Sequence, residues 1–284
     1  MSAAAVASNA VLIRPRTGWQ PIDLREIWRY RELLWFLAWR DVSVRYKQTA
    51  LGVAWAVLQP LFTMLVFSIF FGRLAKMPSD GLPYPLFVLV GLLPWQLFSY
   101  SLTQSSNSLV NEQRLISKVY FPRLIVPLSS VLSGLADFAV AFLLVIAAMA
   151  ISAASGASVA IGWPIVTLPL FILLAIAAAL AVGLWLAALN VQYRDVRYVV
   201  PFLSQCWLFL TPIAYPSSLV PPAYRALYGL NPMTGVVDGF RWAMAGGPPP
   251  DPSLITASVA MVGILLVGGL YYFRRLETRF ADIV

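Results

Sequence analysis

The chain has 284 residues, of which 60% are hydrophobic and only 11% are charged, and its formal net charge is +8. This composition excludes a water-soluble domain, because a soluble chain of this length carries about 25% charged residues. A single cysteine, Cys206, excludes disulfides within the chain, and the absence of histidine removes the commonest general base and the commonest metal ligand.

The N-terminal segment changes character near residue 23. Residues 1–22 are rich in alanine and serine and then basic, and we predict a disordered cytoplasmic tail. Asp23 and Glu26 form a capping-box pattern for a helix that begins near Leu24. The tryptophan- and arginine-rich pattern over 23–48 predicts an amphipathic helix at the membrane surface. A soluble helix packed on a partner is the alternative.

Six apolar stretches follow, each of about 20 residues or more, and a span needs roughly 17–25 residues. Their apolar runs are continuous and do not alternate, which excludes a β-barrel. The predicted fold is an all-α integral membrane protein, with a six-span domain over 49–284 and short re-entrant helices near 223–228 and 234–245. The predicted spans are 51–72, 86–110, 124–153, 161–189, 198–219 and 253–273.

Basic residues are sorted between the two sides of these spans. With the N-terminus inside, 16 of the 20 lysines and arginines are cytoplasmic. The positive-inside rule therefore predicts that both termini are cytoplasmic. Because this charge flanks spans, we expect it to contact anionic lipid headgroups, and we expect no nucleic-acid partner.

Motifs for chemistry are missing from the sequence. There is no G-x-x-x-x-G-K-[ST] phosphate-binding loop, no metal-binding motif and no pair of loop carboxylates. We therefore predict no catalytic residues, no metal site and no enzyme activity. Asp137 is the one acid inside a predicted span, where an ionised acid costs roughly 2.5–3.5 kcal/mol. We expect it to accept a hydrogen bond from Ser, Thr, Asn or backbone of another span, and a proton relay is the alternative.

Several segments, in order along nearly the whole chain, resemble the permeases of type-2 ABC exporters. More narrowly, they are similar to the polysaccharide-exporting branch, which serves O-antigen and teichoic acid export. The matching segments are Arg40–Gly52 with Trp55 and Gln59-Pro60, Asn111–Pro122, Asp137-Phe138, Asn190–Val196 and Asn231–Gly235.

The resemblance implies a homodimer bound to two ATP-binding cassette subunits, in the bacterial inner membrane. ATP and Mg²⁺ would then belong to the partner, with no cofactor in this chain. The substrate would be a polyprenyl-diphosphate-linked glycan. By the same resemblance, a coupling helix contacts the ATPase. Its expected contact residues are Asn111, Glu112, Arg114, Ile116, Lys118 and Tyr120.

Two sets of residues suit this substrate. Arg40, Arg45 and Lys47 form a basic cluster for the diphosphate, since arginine binds phosphate oxygens in a bidentate manner. Anchoring to lipid headgroups is the alternative for all three. Aromatic rings that can stack on sugars are expected to line a channel, and a membrane-interface belt is their alternative. These aromatic residues are Trp55, Trp95, Tyr100, Trp185 and Trp207.

Three functions are compatible with these sequence features. The first is the transmembrane subunit of an ATP-driven exporter of a lipid-linked polysaccharide. The second is an exporter of the same architecture that carries a drug or a non-glycan lipid. The third is a membrane enzyme that acts on lipid-linked sugars, which the missing histidines and loop carboxylates disfavour.

Overall fold

A computed structural model describes residues 24–47, 52–156 and 162–283. The predicted disordered tail, 1–22, lies outside the described residues. Within these ranges the regular structure is helical and no strand occurs, as the all-α prediction requires. The α-helices are α1 (Leu24–Arg29), α2 (Arg31–Lys47), α3 (Gly52–Phe67), α4 (Tyr84–Asn111), α5 (Gln113–Lys118), α6 (Ile125–Ala154), α7 (Leu168–Gln192), α8 (Val196–Leu210), α9 (Arg225–Tyr228), α10 (Pro232–Ala245) and α11 (Pro252–Ile283).

Five helical segments of the described chain are long and apolar enough to cross a membrane. Two of them extend beyond a single α-helix: α3 continues as a π-helix over Ser68–Leu74, and a 3₁₀ turn over Trp163–Thr167 precedes α7. These segments confirm five of the predicted spans to within a few residues. They are Ala54–Leu74, Tyr84–Asn111, Ile125–Ala154, Trp163–Gln192 and Pro252–Glu277.

The predicted span 198–219 is wrong in its second half. Helix α8 has 15 residues and ends at Leu210, so it is about 22 Å long at 1.5 Å per residue, shorter than the ~30 Å hydrocarbon core. It stops because Pro212 follows: a residue before proline is disfavoured in helical conformation. Thr211 is accordingly extended, with φ −94° and ψ 141°.

The chain beyond Thr211 is buried although it is not helical. Tyr84 Oη donates to the Ala214 carbonyl at 2.6 Å, and Arg241 Nη2 donates to the Ile213 carbonyl at 3.0 Å. Irregular backbone at membrane depth is tolerated where protein groups bind its carbonyls. Side chains from α4 and α10 therefore replace the hydrogen bonds that a helix would have supplied.

Helix α4 is the central element of the molecule. It packs against α3, α6, α7, α8 and α10, and most of its side chains are buried. Small residues permit these close approaches: a Cβ at Gly183 would lie 2.1 Å from Ser105 Oγ. Such small-residue contacts are the usual means of packing helices in a bilayer. The spans thus form one bundle around α4.

The predicted short helices near 223–228 and 234–245 are present as α9 and α10. Asn231 caps α10 by accepting from the Met233 N–H at 3.1 Å, and Pro232 occupies the first turn. The helix ends at Gly246, whose φ of 72° is the left-handed conformation that favours glycine. Nearly every residue of α10 is buried against α4, α7 and α11.

Candidate functional site

Helix α2 is bound to the start of α5 by an ion pair. The Arg40 guanidinium forms two hydrogen bonds with the Glu112 carboxylate, and it also donates to Asp41 Oδ1 at 2.8 Å. The hydrogen bond with Glu112 raises the pKa of Arg40 above its usual value, so this side chain stays charged. Arg40 is therefore engaged by two carboxylates within the chain.

One helical turn further along α2, two side chains reach Asp137 on α6. Arg45 Nη1 pairs with Asp137 Oδ2, and the Tyr46 hydroxyl donates to Asp137 Oδ1. Burial and the neighbouring carboxylate raise the pKa of Tyr46 to about 12, which keeps its hydroxyl a donor at neutral pH. The predicted partner of Asp137, a Ser, Thr, Asn or backbone group of another span, is wrong. An arginine and a tyrosine of α2 bind it instead.

Arg45 and Asp137 both lie in the wall of a cavity of about 660 Å³ between α2, α3, α4 and α6. The Arg45 guanidinium also lies over the Tyr100 ring, 4.2 Å from its centroid. Three of the predicted channel aromatics line this cavity, together with polar side chains of α3 and α4. The aromatics are Trp55, Trp95 and Tyr100, and the polar residues are Gln59, Thr63, Gln96, Ser99, Thr103 and Gln104.

The other two predicted channel aromatics lie elsewhere. Trp185 stacks on Tyr272 with ring centroids 4.9 Å apart, and its Nε1 donates to the Leu265 carbonyl, so it joins α7 to α11. Trp207 Nε1 donates to Asn231 Oδ1 at 2.8 Å and joins α8 to the start of α10. These two residues do not line the 660 Å³ cavity, since each ring packs between helices. Their place in a channel stays a prediction.

The three predicted basic residues do not form one cluster. Arg45 lines the cavity, Arg40 is bound to Glu112, and Lys47 is exposed at the end of α2. Their spacing along α2 explains this outcome. At 3.6 residues per turn, Arg45 points about 140° away from Arg40, whereas Lys47 shares the face of Arg40 but lies about 10 Å further along the helix axis. Only Arg45 is placed to act inside the cavity.

The predicted coupling residues in and around α5 differ in their exposure. Asn111, Arg114, Lys118 and Tyr120 are exposed. Ile116 is 5% exposed and packs in the apolar cluster that joins α2, α4, α6, α7 and α11, and Glu112 is partly covered by its pair with Arg40. The Ile116 side chain fixes α5 to the bundle, and its contact with a partner stays a prediction.

The polar face of α4 lines the cavity but is not among the residues predicted from the sequence. Gln96, Ser99, Thr103 and Gln104 line the cavity at spacings of three, four and one residues. This pattern places all four on one side of a helix. A polar stripe inside an otherwise apolar span was therefore visible before the structure. Gly134 was also missed: a Cβ there would lie 2.8 Å from Tyr100 Cδ1.

A metal site has no support in the described residues. Within 24–47, 52–156 and 162–283, no three Cys, His, Asp or Glu side chains are grouped to hold a metal ion. The cavity instead presents one ion pair, four aromatic rings (the three predicted ones and Phe138) and neutral hydrogen-bonding groups. Such a surface can bind a polar ligand that has both apolar faces and hydroxyl or phosphate groups.

Comparison with known proteins identifies the family. Residues 32–245 match the model of the ABC-2 type transporter family. The chain belongs to this family. Its matched region contains the 660 Å³ cavity, α5 and α10. The chain is thus an ABC-2 membrane permease and not an enzyme.

Relatives of this ABC-2 permease include several polysaccharide exporters. The O-antigen export system permease protein RfbA of Myxococcus xanthus is 30% identical over 92% of this chain and 98% of its own length. RfbA of Klebsiella pneumoniae is 27% identical over 89% of this chain and 95% of its own length. The polysialic acid transport protein KpsM of Escherichia coli is 25% identical over 73% of this chain and 79% of its own length.

Proposed function

We propose that this ABC-2 permease is the transmembrane subunit of an ATP-driven exporter of an O-antigen-like polysaccharide linked to a polyprenyl diphosphate. The observation that carries the proposal is the cavity in which Arg45, Trp55, Trp95 and Tyr100 meet. Near full-length similarity to O-antigen permeases supports the same substrate class.

The chemistry of the cavity suits a lipid-linked glycan. A guanidinium offers paired N–H donors to phosphate oxygens, and Arg45 supplies one. Sugar rings carry apolar C–H faces that pack on aromatic rings, while Gln and Thr side chains exchange hydrogen bonds with hydroxyls. The lining contains both kinds of group next to each other. These groups match a ligand with a charged head and a chain of polar rings better than they match an apolar drug.

The assembly we infer is a homodimer with two ATP-binding cassette subunits, which bind ATP and Mg²⁺. In each protomer, α8 and the buried chain after it complete a sixth crossing, and α9 and α10 form a re-entrant pair in the outer leaflet. Both termini and α5 then lie in the cytoplasm of a cell with this chain in its inner membrane. The exposed surface formed by Arg114, Lys118, Val119 and Tyr120 is the part of this end available to the ATPase.

Transport in reconstituted vesicles tests the proposal. Permease and ATPase subunits are reconstituted together, and ATP hydrolysis is measured with polyprenyl-diphosphate-linked glycan, with the polyprenyl diphosphate alone and with an apolar drug. We expect the glycolipid to stimulate hydrolysis and to cross the bilayer, and the drug to do neither. Stimulation by the drug alone would support the exporter of non-glycan cargo, and turnover of the glycolipid without ATPase would support an enzyme.

The aromatic lining gives a matched pair of variants for the same assay. Trp55 is 58% exposed and lines the cavity, whereas Trp28 is 70% exposed and lies on α1 outside it. Loss of one aromatic stacking partner costs about 0.5–1.5 kcal/mol. We expect Trp55→Ala to slow glycan transport by about threefold to tenfold, and Trp28→Ala to leave it near the wild-type rate. Equal transport by the two variants would contradict a role of Trp55 in the channel.

A further inference from the structure

A second cavity, of about 220 Å³, lies at the end of the molecule opposite α2 and α5. It is enclosed by the turn before α4, the chain after α8, one face of α10 and the loop before α11. One water needs only about 10–15 Å³ of such space, so the cavity admits a larger molecule. Its lining residues are Asp80, Leu82, Phe87, Ser217, Ser218, Arg225, Asp238, Arg241, Gly247, Pro248, Pro249, Pro250, Asp251 and Leu254.

Arg241, which lines this cavity, has a buried N–H group without a hydrogen-bond partner. The side chain is 4% exposed, and its guanidinium lies 3.5 Å from the centroid of the Phe87 ring. Nε donates to the Phe87 carbonyl at 3.3 Å and Nη2 to the Ile213 carbonyl at 3.0 Å, whereas Nη1 is buried and has no hydrogen-bond partner. Buried donors without partners are rare because they are costly, and each one in a folded protein needs an explanation.

That donor forms an ion pair with a carboxylate but no hydrogen bond with it. Asp238 Oδ1 lies 3.8 Å from Arg241 Nη1, beyond hydrogen-bond distance. Asp238 is 8% exposed and accepts a hydrogen bond from Ser217. A hydroxyl is the group that accepts from a guanidinium and donates to a carboxylate at the same time. The pair is therefore arranged to hold one or two hydroxyls.

The other charges around the cavity are already engaged and set its polarity. Arg225 Nη1 pairs with Asp251 at 2.8 Å, and Ser218 donates to Asp80 at 2.9 Å. The lining contains three carboxyl groups and two guanidiniums, so groups of both signs surround the cavity. An anion meets like charge from the carboxylates, and a metal cation meets the guanidiniums. The lining therefore favours a neutral molecule with several hydroxyls.

We propose that this cavity is a subsite for one neutral sugar ring, held by hydroxyls between Arg241 and Asp238 and by its C–H face on the wall of Pro248, Pro249 and Pro250. The proposal rests on the proposed function, because the ring belongs to the exported glycan. A conduit needs sites that bind strongly enough to be entered and weakly enough to be left. Binding of a single sugar is accordingly expected in the millimolar range.

Hydrogen–deuterium exchange of the complete permease–ATPase complex tests the subsite. The probes are methyl α-D-mannopyranoside, methyl α-L-rhamnopyranoside and methyl α-D-galactopyranoside, with inorganic pyrophosphate as an anionic probe. We expect at least one glycoside to slow exchange of backbone amides at 213–220 and 236–247, and pyrophosphate to leave them unchanged. Protection by pyrophosphate alone, or by none of the probes, would overturn the subsite and leave a water-filled cavity.

Two variants test whether the protection from exchange depends on the residues of this cavity. Asp238→Asn keeps the shape of the side chain but loses a charge-assisted hydrogen bond, and Ser217→Leu fills the cavity from its partly exposed rim. Each is expected to weaken the protecting glycoside by about tenfold or more. Thr256→Leu, on the exposed face of α11 outside the lining, is the matched control and retains binding. If Asp238→Asn does not fold, Ser217→Leu decides alone, and undiminished protection in it contradicts the proposal.

The result is separable from the proposed function. Transport of the glycolipid in vesicles without any glycoside protection would overturn the subsite only. Ser217-dependent glycoside protection in a complex that moves no lipid-linked glycan would support the subsite and overturn the proposed function.

Discussion

Arg45 and Asp137 place opposite charges at the wall of the 660 Å³ cavity, within a segment where either charge alone is costly. Their side chains are 28% and 29% exposed. An unpaired acid inside a span costs roughly 2.5–3.5 kcal/mol, and an arginine at that depth lowers the cost by pairing with it. If a lipid diphosphate binds Arg45, it must therefore compete with Asp137, which already occupies the guanidinium.

This competition gives a prediction for Asp137→Asn. The amide keeps a hydrogen-bond acceptor for Tyr46 but removes the charge that neutralises Arg45. We expect polyprenyl diphosphate to stimulate ATP hydrolysis at a concentration about threefold to tenfold lower than in the wild type, as a partly exposed ion pair is worth about 1 kcal/mol. Titration of hydrolysis against lipid concentration measures the shift.

Tyr46→Phe is the control for that titration. It removes one hydrogen bond from Asp137 and leaves both charges in place, so the half-saturating concentration should stay within about twofold of the wild type. An unchanged curve for Asp137→Asn would mean that Arg45 does not meet the lipid head, and that its pair with Asp137 only joins α2 to α6.

At the scale of elements, α2 and α5 behave as one unit. Arg40 binds Glu112, while Leu37 and Ile116 pack in the same apolar cluster. A force applied to α5 by a partner is therefore transmitted to α2, and through Arg45 to α6 at the cavity wall. The ion pair between Arg40 and Glu112 is the polar part of this connection.

A charge exchange tests that connection. Arg40→Glu and Glu112→Arg each place two like charges in contact, and both should cut transport strongly. The double variant restores a pair of opposite charges, and its new arginine also lies near Asp41. When transport rates are converted to free energies, the double variant should recover at least about half of the loss caused by the single variants. ATP-driven transport is the measurement, with assembly of the ATPase checked separately. No recovery in the double variant would mean that Glu112 acts directly on the partner.

The exposed side of α5 gives a different prediction. Arg114 and Lys118 carry no structural role in the bundle, so Arg114→Glu with Lys118→Glu should leave the thermal unfolding of the permease unchanged. We expect the same variant to weaken ATPase association by about tenfold or more, because reversed charges at an interface repel. Copurification and titration of the two subunits measure this. Wild-type association would place the ATPase elsewhere.

The sequence predicts long elements well and tertiary partners poorly. An apolar run of 20 residues is a local signal, so five spans were found within a few residues. The end of α8 differs from the predicted span because the apolar run continues to Leu219, whereas Pro212 disfavours a helical conformation of Thr211. The pairing of Arg45 with Asp137 joins residues 92 positions apart, and no local pattern encodes such a contact. The contacts of Trp185 with α11 and of Trp207 with Asn231 are not encoded locally for the same reason.

At the scale of the whole molecule, the two cavities lie at different levels of the bundle and differ in their chemistry. The larger lies along the middle of α4, and the smaller lies beside the start of α4. The larger has Arg45 and four aromatic rings, and the smaller has the pair of Arg241 and Asp238 among further carboxyl, guanidinium and proline groups. A glycolipid that enters by its charged head needs a cation near the entrance, and a glycan that leaves needs only weak polar contacts. The proposed direction of transport therefore requires that the end with α5 face the cytoplasm.

Cysteine labelling tests this orientation. Cys206 is the single cysteine of the chain, so Cys206→Ser gives a background without thiols. In that background, Lys118→Cys probes the end with α5 and Ser218→Cys probes the opposite end, both at exposed positions. Because the predicted topology assigns 16 of the 20 basic residues to the same side as α5, a membrane-impermeant maleimide should label Ser218→Cys in intact cells and Lys118→Cys only in inverted vesicles. Labelling of the Lys118→Cys variant in intact cells would reverse the orientation, and a diphosphate head entering from the cytoplasm would then meet the cavity that lacks Arg45.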